Sequence, residues 1–117
     1  MRGVNKVILV GSLGANPQFK NFPNGGSYAQ FSIATSERWQ DQRSGEWREN
    51  TEWHRIVAYG RLGEIAVQYL AKGAKVYIEG SLHTRKYTDE KRIERYVTEV
   101  KVSQMQMLDT QPIANPV

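Results

Sequence analysis

The chain has 117 residues, 39% of them hydrophobic, which is enough to bury the core of one domain. It contains no cysteine, which excludes disulfides and thiolate chemistry and makes a structural zinc site unexpected. Sixteen Lys and Arg residues against twelve Asp and Glu give a net charge of +4, a weak indication of an anionic partner. We expect no membrane association, because no stretch approaches the roughly 20 apolar residues of a span and no targeting segment is recognisable.

The first third of the sequence predicts two strands separated by a long connection. Residues 4–13 ("VNKVILVGSL") are short and rich in β-branched side chains, which predicts the first strand. Residues 14–27 supply Gly, Pro and Asn in quantity, and the stretch "PNGG" predicts a turn. Residues 28–36 alternate, with Phe31 and Ile33 on one face, which is typical of a half-buried second strand.

The third strand, at about residues 51–60, has one face of an unusual kind. Successive side chains on a strand point to opposite faces, so Ile56 and Ala58 share a face that suits a core. The opposite face is formed by Trp53, Arg55, Val57, Tyr59 and Arg61. It combines large rings with cations, which neither a solvated face nor a core normally does. The charged residues 37–50 before it are expected to form an exposed hairpin or loop.

The period of the apolar pattern changes in residues 61–73 ("RLGEIAVQYLAKG"). Apolar residues at i, i+3, i+4, i+7 and i+8, counted from Leu62, predict one face of an amphipathic helix. Lys72 is expected in the last turn of this helix. Gly73 is expected just beyond it as the C-terminal cap.

Strand patterns return after the helix. Residues 74–82 and 96–108 predict the fourth and fifth strands, separated by the charged, turn-like residues 83–95. Five strands with one α-helix between strands three and four predict an all-β protein, a five-stranded OB-fold barrel. Residues 1–108 are expected to form this domain, and residues 109–117 a short disordered C-terminal tail.

Aromatic rings and cations are interleaved at several places in the chain. A protein that binds single-stranded nucleic acid without sequence preference needs rings on which bases stack and cations along the phosphates. The rings predicted to stack are Trp39, Trp53, Tyr59 and Tyr87, each with an arginine one or two positions away. Aromatic residues on strands usually belong to a core, but Arg55 shares the face of Trp53 and Tyr59 and favours the binding interpretation.

The remaining rings and a histidine allow less specific interpretations. Three roles stay open for Trp47: stacking on a base, lying on the protein surface, or no role. Tyr69 and Tyr77 are interpreted as core or subunit-contact residues rather than ligand-binding ones. His54 faces away from Trp53, which favours a buried or interface histidine over a catalytic one.

Six stretches of the chain together resemble the bacterial single-stranded DNA-binding protein family: "GVNKVILVGSLG", "PNGG", "ATSERW", "TEWHR", "YLAKGAKVYIEGSLHTRK" and "QMQML". The resemblance runs to about residue 108. It implies an OB-fold that assembles as a homotetramer, needs no cofactor or metal, and wraps single-stranded DNA without sequence preference during replication, recombination and repair. It also implies a cytoplasmic protein associated with the bacterial nucleoid.

The resemblance also assigns roles to individual residues. Trp39 and Trp53 match the stacking tryptophans of the family. Tyr59 stands where better-known members have phenylalanine, and Tyr87 where they have tryptophan, so that fourth site is expected to be weaker. His54 matches a position that supports the tetramer, and Tyr77 is also expected at an oligomer interface. The positions that match residues along the DNA path, and are expected to bind phosphates, are Lys6, Arg55, Arg61, Lys72, Arg85 and Lys86.

The C-terminus departs from the family pattern. Members usually continue past the barrel with a disordered linker and an acidic tip that recruits other proteins. This chain ends in "PIANPV", with one acidic residue among its last nine. Two interpretations stay open: a DNA-binding core cut from a longer chain, or a natural tail-less variant from a plasmid or phage. Either one argues against recruitment of replication and repair proteins through a tail. Binding mode, site size and cooperativity also stay open.

Two other classes of function are weaker alternatives. A related OB-fold module such as primosomal protein N, with structured RNA or a primosome protein as its ligand, should lack much of this aromatic set. An enzyme should show a glycine-rich phosphate loop, a metal cluster, a nucleophile elbow or a thiol, and the sequence shows none of these. Glu46, Glu49, Glu52 and Glu64 could serve as acid–base groups, but charged loops usually hold such residues for solubility.

Overall fold

The computed structural model describes residues 1–108, and the expected tail of residues 109–117 lies outside the described residues. The elements in chain order are β1 (Val7–Leu13), β2 (Gln18–Asn21), β3 (Ser27–Gln40), β4 (Trp47–Tyr59), α1 (Gly60–Tyr69), β5 (Lys75–Thr88) and β6 (Glu94–Met107).

Five of these strands close a barrel. Four of the pairings are antiparallel: β1 with β5, β5 with β6, β4 with β3, and β3 with β1. The ring is closed by a parallel pairing of β4 with β6, at Ile56 opposite Val100. The helix α1 lies between β4 and β5, which are the third and fourth strands of the barrel. The predicted five-stranded OB-fold barrel is therefore confirmed.

The sixth strand, β2, lies in the connection that the sequence predicted as irregular. It pairs antiparallel with residues 27–30 of β3, on an edge that β1 leaves open. All four of its residues are exposed, so no alternation of apolar side chains marked it as a strand. The turn that follows is where "PNGG" predicted it, with Gly25 and Gly26 at φ values of +98° and +85°.

The core fills the barrel with inward-pointing side chains from every barrel strand and from one side of the helix. Its buried members are Leu13, Ala29, Phe31, Ile33, Ile56, Ala58, Ala66, Leu70, Val76, Ile78, Val100 and Val102. Ile56 and Ala58 have no exposed surface, so the inward face predicted for the third barrel strand is confirmed.

The helix is shorter than the sequence predicts. It ends at Tyr69, and the backbone of Leu70 is extended, although its N–H still donates to the carbonyl of Ala66. Leu70 is nevertheless buried in the core, as its place in the apolar pattern predicted. Lys72 is not in the last turn and Gly73 is not the helix cap. Gly73 instead takes a φ of +89° in the following turn, where its N–H donates to the carbonyl of Leu13 over 2.8 Å.

Two long hairpins extend beyond the barrel. The first hairpin consists of β3, β4 and turn residues 41–46, and the second hairpin of β5, β6 and turn residues 89–93. Residues 37–50, expected as an exposed hairpin or loop, form the end of a hairpin, and residues 83–95, expected to be turn-like, are mostly strand. Outside the barrel both faces of a strand are solvated, so the apolar alternation ends although the backbone ladder continues.

Candidate nucleic-acid interface

The outward face of β4 carries three residues of the unusual combination seen in the sequence, Trp53, Arg55 and Tyr59, whereas Val57 is buried and Arg61 lies in α1. The pairing of β3 with β4 runs without a register shift, so side chains keep alternating along the whole strand. Trp53 and Arg55 point outward and are exposed, and 59% of the Trp53 surface is open to solvent. Tyr59 shares this face and is partly buried.

The ring of Trp53 lies in a space that a glycine leaves open. A Cβ atom built on Gly14 would lie 2.5 Å from the Trp53 ring, so the ring can lie there only because Gly14 has no side chain. Beside it is an open groove of about 400 Å³, lined among others by Asn16, Gln30, Trp53 and Arg55. Trp53 and Arg55 therefore line an open groove in which a flat ring and a cation are available to a ligand.

Tyr59 belongs to a cluster of three rings. Its ring is stacked on Phe22 at a centroid distance of 6.0 Å and an interplanar angle of 13°, and Tyr28 lies at the same centroid distance. Lys101 places its Nζ 5.4 Å from the centroid of the Tyr59 ring. Burial and then the negative charge of Glu99 raise the pKa of Tyr59. Tyr59 is therefore a neutral ring, fixed from one side by other rings, with a cation nearby.

The second hairpin adds a rigid arginine to this cluster. Glu99 has only 3% of its side chain exposed and accepts two hydrogen bonds from Arg85, at Nε (3.0 Å) and at an Nη nitrogen (3.2 Å). These bonds raise the pKa of Arg85. The guanidinium carbon lies 5.7 Å from the centroid of the Tyr87 ring, and Arg85 and Glu99 line a cavity of about 150 Å³ together with Tyr59. Tyr59 and Tyr87 are thus linked through Arg85.

Trp39 occupies a different place from the other three predicted rings. It lies directly opposite Arg48 in the first hairpin, and its side chain points to the face opposite that of Trp53. It is 44% exposed and lines an open depression with residues 40–43 near the turn. Within one chain, therefore, the structure brings Trp53, Tyr59 and Tyr87 to one side and leaves Trp39 on the other side of a thin two-stranded arm.

The six cations predicted to bind phosphates fall into two groups. Four of them pair with a carboxylate: Lys6 with Glu79, Arg61 with Glu64, Arg85 with Glu99 and Lys86 with Glu94. In the described part of the chain, Arg55 and Lys72 form no such pair. The backbone N–H of Lys72 donates to Asn16, which also lines the groove beside Trp53.

The two residues predicted at an oligomer interface lie apart from this groove. His54 points away from Trp53, as predicted, and its Nε2 shares a hydrogen bond of 2.9 Å with the hydroxyl of Thr35. The Tyr77 hydroxyl donates to Glu79 over 2.7 Å. This bond, followed by the one from Lys6, lowers the pKa of Glu79.

Sequence reasoning missed several residues of the candidate site. Tyr28 lies directly opposite Tyr59, and aligning the two strands as a hairpin could have found it. Phe22, Glu99 and Lys101 come from distant parts of the chain, and no local pattern indicates their position. Tyr69, interpreted as a core or contact residue, is 62% exposed on the helix and does not belong to the core of this chain.

A closed OB-fold barrel with an outward surface of rings and cations has the architecture of a nucleic-acid-binding protein. Residues 4–108 match the Single-strand binding protein family, and the chain belongs to that family. It is also similar to a solved structure of the Plasmodium falciparum SSB in complex with ssDNA. That similarity has 37% sequence identity and a TM-score of 0.81, and covers 93% of this chain and 98% of the other. The resemblance inferred from the six sequence stretches is confirmed. None of the helical segments in residues 1–108 has the length and apolar content needed to cross a membrane.

Proposed function

We propose that this protein binds single-stranded DNA without sequence preference and protects it during replication, recombination and repair. The observation that carries the proposal is the outward face of β4, where Trp53 and Arg55 line an open groove and Tyr59 lies on the same face of the strand. Membership of the Single-strand binding protein family and the similarity to an SSB solved with ssDNA support it. The expected place of action is the bacterial cytoplasm, at the nucleoid.

In this proposal the rings determine affinity. Each base stacked on an aromatic side chain contributes about 1–3 kcal/mol, whatever its identity, because every base has a π-face. Trp53 offers the largest open ring in the groove, and Tyr59 and Tyr87 offer smaller ones. Trp39 would contact a strand that passes around the first hairpin, because it lies on the other face of that arm.

The cations determine how binding responds to salt. Arg55 and Lys72 are the strongest candidates for phosphate contacts, since neither is paired with a carboxylate within residues 1–108. Arg61 and Lys86 form exposed ion pairs, which contribute little to stability and which a phosphate can replace. Lys6 and Arg85 are held by less exposed carboxylates and are expected to contribute less.

We also propose that the protein assembles as a homotetramer. Ile8 and Val10 point outward from β1 and are 56% and 54% exposed, and they lie opposite Glu79 and Tyr77 of β5 on the same outward face. Within the described residues β1 pairs with β3 only at its last two positions, so the rest of that edge is open to a strand of a second copy. As part of the same proposal, we assign the partly exposed His54 to a subunit interface of the tetramer.

The assembly can be tested by placing a charge on the apolar face. The variant Val10→Glu is expected to lower the molecular mass measured by sedimentation velocity, because a carboxylate would be buried between subunits without a partner. Val67→Glu is the matched control, because Val67 is an exposed residue on the helix. A wild-type protein that sediments as a monomer at every concentration would contradict the tetramer.

The function is proposed to be binding without chemistry. Family membership supports this. Labelled single strands incubated with the protein and Mg²⁺ should remain intact. Cleaved strands would show that the groove has a catalytic role.

The decisive experiment for the proposed function is a titration of tryptophan fluorescence with oligo(dT) at two salt concentrations, with duplex DNA as the control. Strong quenching by the single strand alone is expected, because bases would stack on exposed tryptophans. Competition with RNA strands separates this function from that of a related OB-fold module with an RNA ligand. If oligo(dT) caused no quenching and no binding, the proposal would fail.

A further inference from the structure

The outward face of β4 continues beyond Trp53 to the turn of the first hairpin. The pairing runs unbroken from Tyr28 opposite Tyr59 to Gln40 opposite Trp47. Trp47 and Trp53 are six positions apart, as are Trp53 and Tyr59, and because six is even all three rings lie on one face of the strand. Neither the fold nor the resemblance assigns any role to Trp47.

Trp47 is the most open of the three tryptophans. Its surface is 62% exposed, compared with 59% for Trp53 and 44% for Trp39. The guanidinium carbon of Arg38 lies 5.1 Å from the centroid of the Trp47 ring. Arg38 lies opposite Glu49, so it reaches Trp47 diagonally across the two strands. The ring is thus oriented by a cation and presents a large free surface to solvent.

We propose that Trp47 is an additional base-stacking site and that Arg38 orients its ring, which extends the DNA-binding face to the end of the first hairpin. This inference rests on the proposed function and adds a subsite to it. Trp47 lies in the same strand and on the same face as Trp53 and Arg55, and Arg38 supplies the cation from the paired strand β3. The shared face is continuous with the proposed groove, and single-stranded DNA is the occupant that such a surface fits.

Because Trp47 and Trp53 are far apart along β4, the proposal can be tested with oligonucleotides of different lengths. Trp47 lies six positions before Trp53, which corresponds to about 20 Å at the rise of a β-strand. A strand bound at Trp53 must therefore continue over several nucleotides before it reaches Trp47. Short oligonucleotides occupy the groove alone, and longer ones also contact Trp47.

The first experiment isolates the signal of Trp47. In the double variant Trp39→Phe and Trp53→Phe, Trp47 is the one remaining tryptophan, and the replaced positions keep rings that can stack. Its fluorescence is titrated with oligo(dT) of about 4 and about 16 nucleotides, the ends of the range that one OB-fold occupies. Quenching by the longer oligonucleotide, and little by the shorter, is the expected result.

The second experiment measures affinity. Trp47→Ala is expected to weaken binding of the longer oligonucleotide about fivefold or more, the lower end of what one stacked base contributes. The shorter oligonucleotide should bind as to the wild type, and Trp47→Phe should retain most of the affinity. Tyr69→Ala is the matched control, since it removes an equally exposed ring from the helix and should change neither affinity.

Three results would overturn the inference. If the Trp47 signal did not respond to the longer oligonucleotide while the wild type bound it, Trp47 would be a surface ring. If Trp47→Ala lowered the mass of the assembly in sedimentation velocity, Trp47 would be a subunit contact. If the wild type itself bound no oligo(dT), the proposed function would fail and the subsite with it.

Discussion

The two hairpins that leave the barrel are closed in the same way but carry different chemistry. In each, one aspartate accepts two backbone N–H groups of the turn and the Nε of an arginine on the returning strand. In the first hairpin these groups belong to Asp41, Arg43, Ser44 and Arg48. In the second they belong to Asp89, Lys91, Ile93 and Arg95.

The difference lies in what the strands carry between turn and barrel. The first hairpin holds all three tryptophans of the chain, and the cations Arg38 and Arg55 on it have no carboxylate partner within residues 1–108. The second hairpin holds Tyr87, and its strand cations Arg85 and Lys86 are each paired with a glutamate. The same framework therefore supplies three tryptophans and two arginines without an ion pair among the described residues in one arm, and the paired Arg85 and Lys86 beside Tyr87 in the other.

The largest expected effect is the loss of the Trp53 ring. Trp53→Ala is expected to weaken binding of oligo(dT) by at least about 1 kcal/mol and up to about 3 kcal/mol, whereas Tyr87→Ala should cost less because its ring is smaller. Fluorescence anisotropy measures both, and Trp53→Phe is the conservative control. An oligomer that dissociated while binding stayed unchanged would show that the stacking face is misassigned.

A smaller effect is expected from crowding the same ring without removing it. Gly14→Ala places a Cβ against the Trp53 ring, so the ring must shift out of its position. Affinity for oligo(dT) should fall by a fraction of the about 1–3 kcal/mol that one stack supplies. Gly3→Ala is the control, because nothing lies within 4 Å of the added atom. Equal affinities for the two variants would mean that the ring position is not important.

The contrast between free and paired cations can be tested by salt dependence. Arg55→Gln is expected to reduce the slope of log K against log salt by about 0.7, the value for one phosphate contact on a single strand. Arg85→Gln should reduce it less, because Glu99 already neutralises that guanidinium. Binding isotherms at several salt concentrations give both slopes. If both variants reduced the slope equally, the distinction between the free cation of the first hairpin and the paired cation of the second would be wrong.

The smallest expected effect concerns the two hairpin turns, which have the same pattern of hydrogen bonds. Backbone N–H groups are the main cause of the lowered pKa of both Asp41 and Asp89. A lowered pKa in the folded state means that each turn is stabilised above the ordinary Asp pKa of about 3.9, and that this stabilisation is lost as pH falls through the lowered value. A fall in the protection factors of the Ser44 and Ile93 amide protons at acidic pH, relative to the intrinsic exchange rate at each pH, would show it. Asp41→Asn should abolish the pH dependence in the first hairpin only.

Local patterns in the sequence were enough to predict the barrel and the centre of the site. The change from a period of two to a period of 3.6 and back predicted five barrel strands and one helix. Strict alternation in "TEWHRIVAYGR" separated Ile56 and Ala58 from Trp53 and Arg55, because the faces of a strand depend only on parity. The alternation ended where the hairpins left the barrel, which is why residues 37–50 were predicted only as a hairpin or loop and residues 83–95 as turn-like.

Other features depend on which distant residues meet, and only the tertiary structure decided them. Glu99 neutralises Arg85, and Phe22 stacks on Tyr59. Both contacts form because closure of the barrel brings the residues after β2, the end of β4 and the second hairpin to one side. The sequence by itself determined the fold, the outward ring-and-cation face and the family. The tertiary structure decided which cations are paired, which rings share a side, and that Trp47 lies in line with Trp53. The physical reason is that alternation is a property of one strand, whereas pairing, burial and electrostatic neutralisation are properties of the assembled barrel.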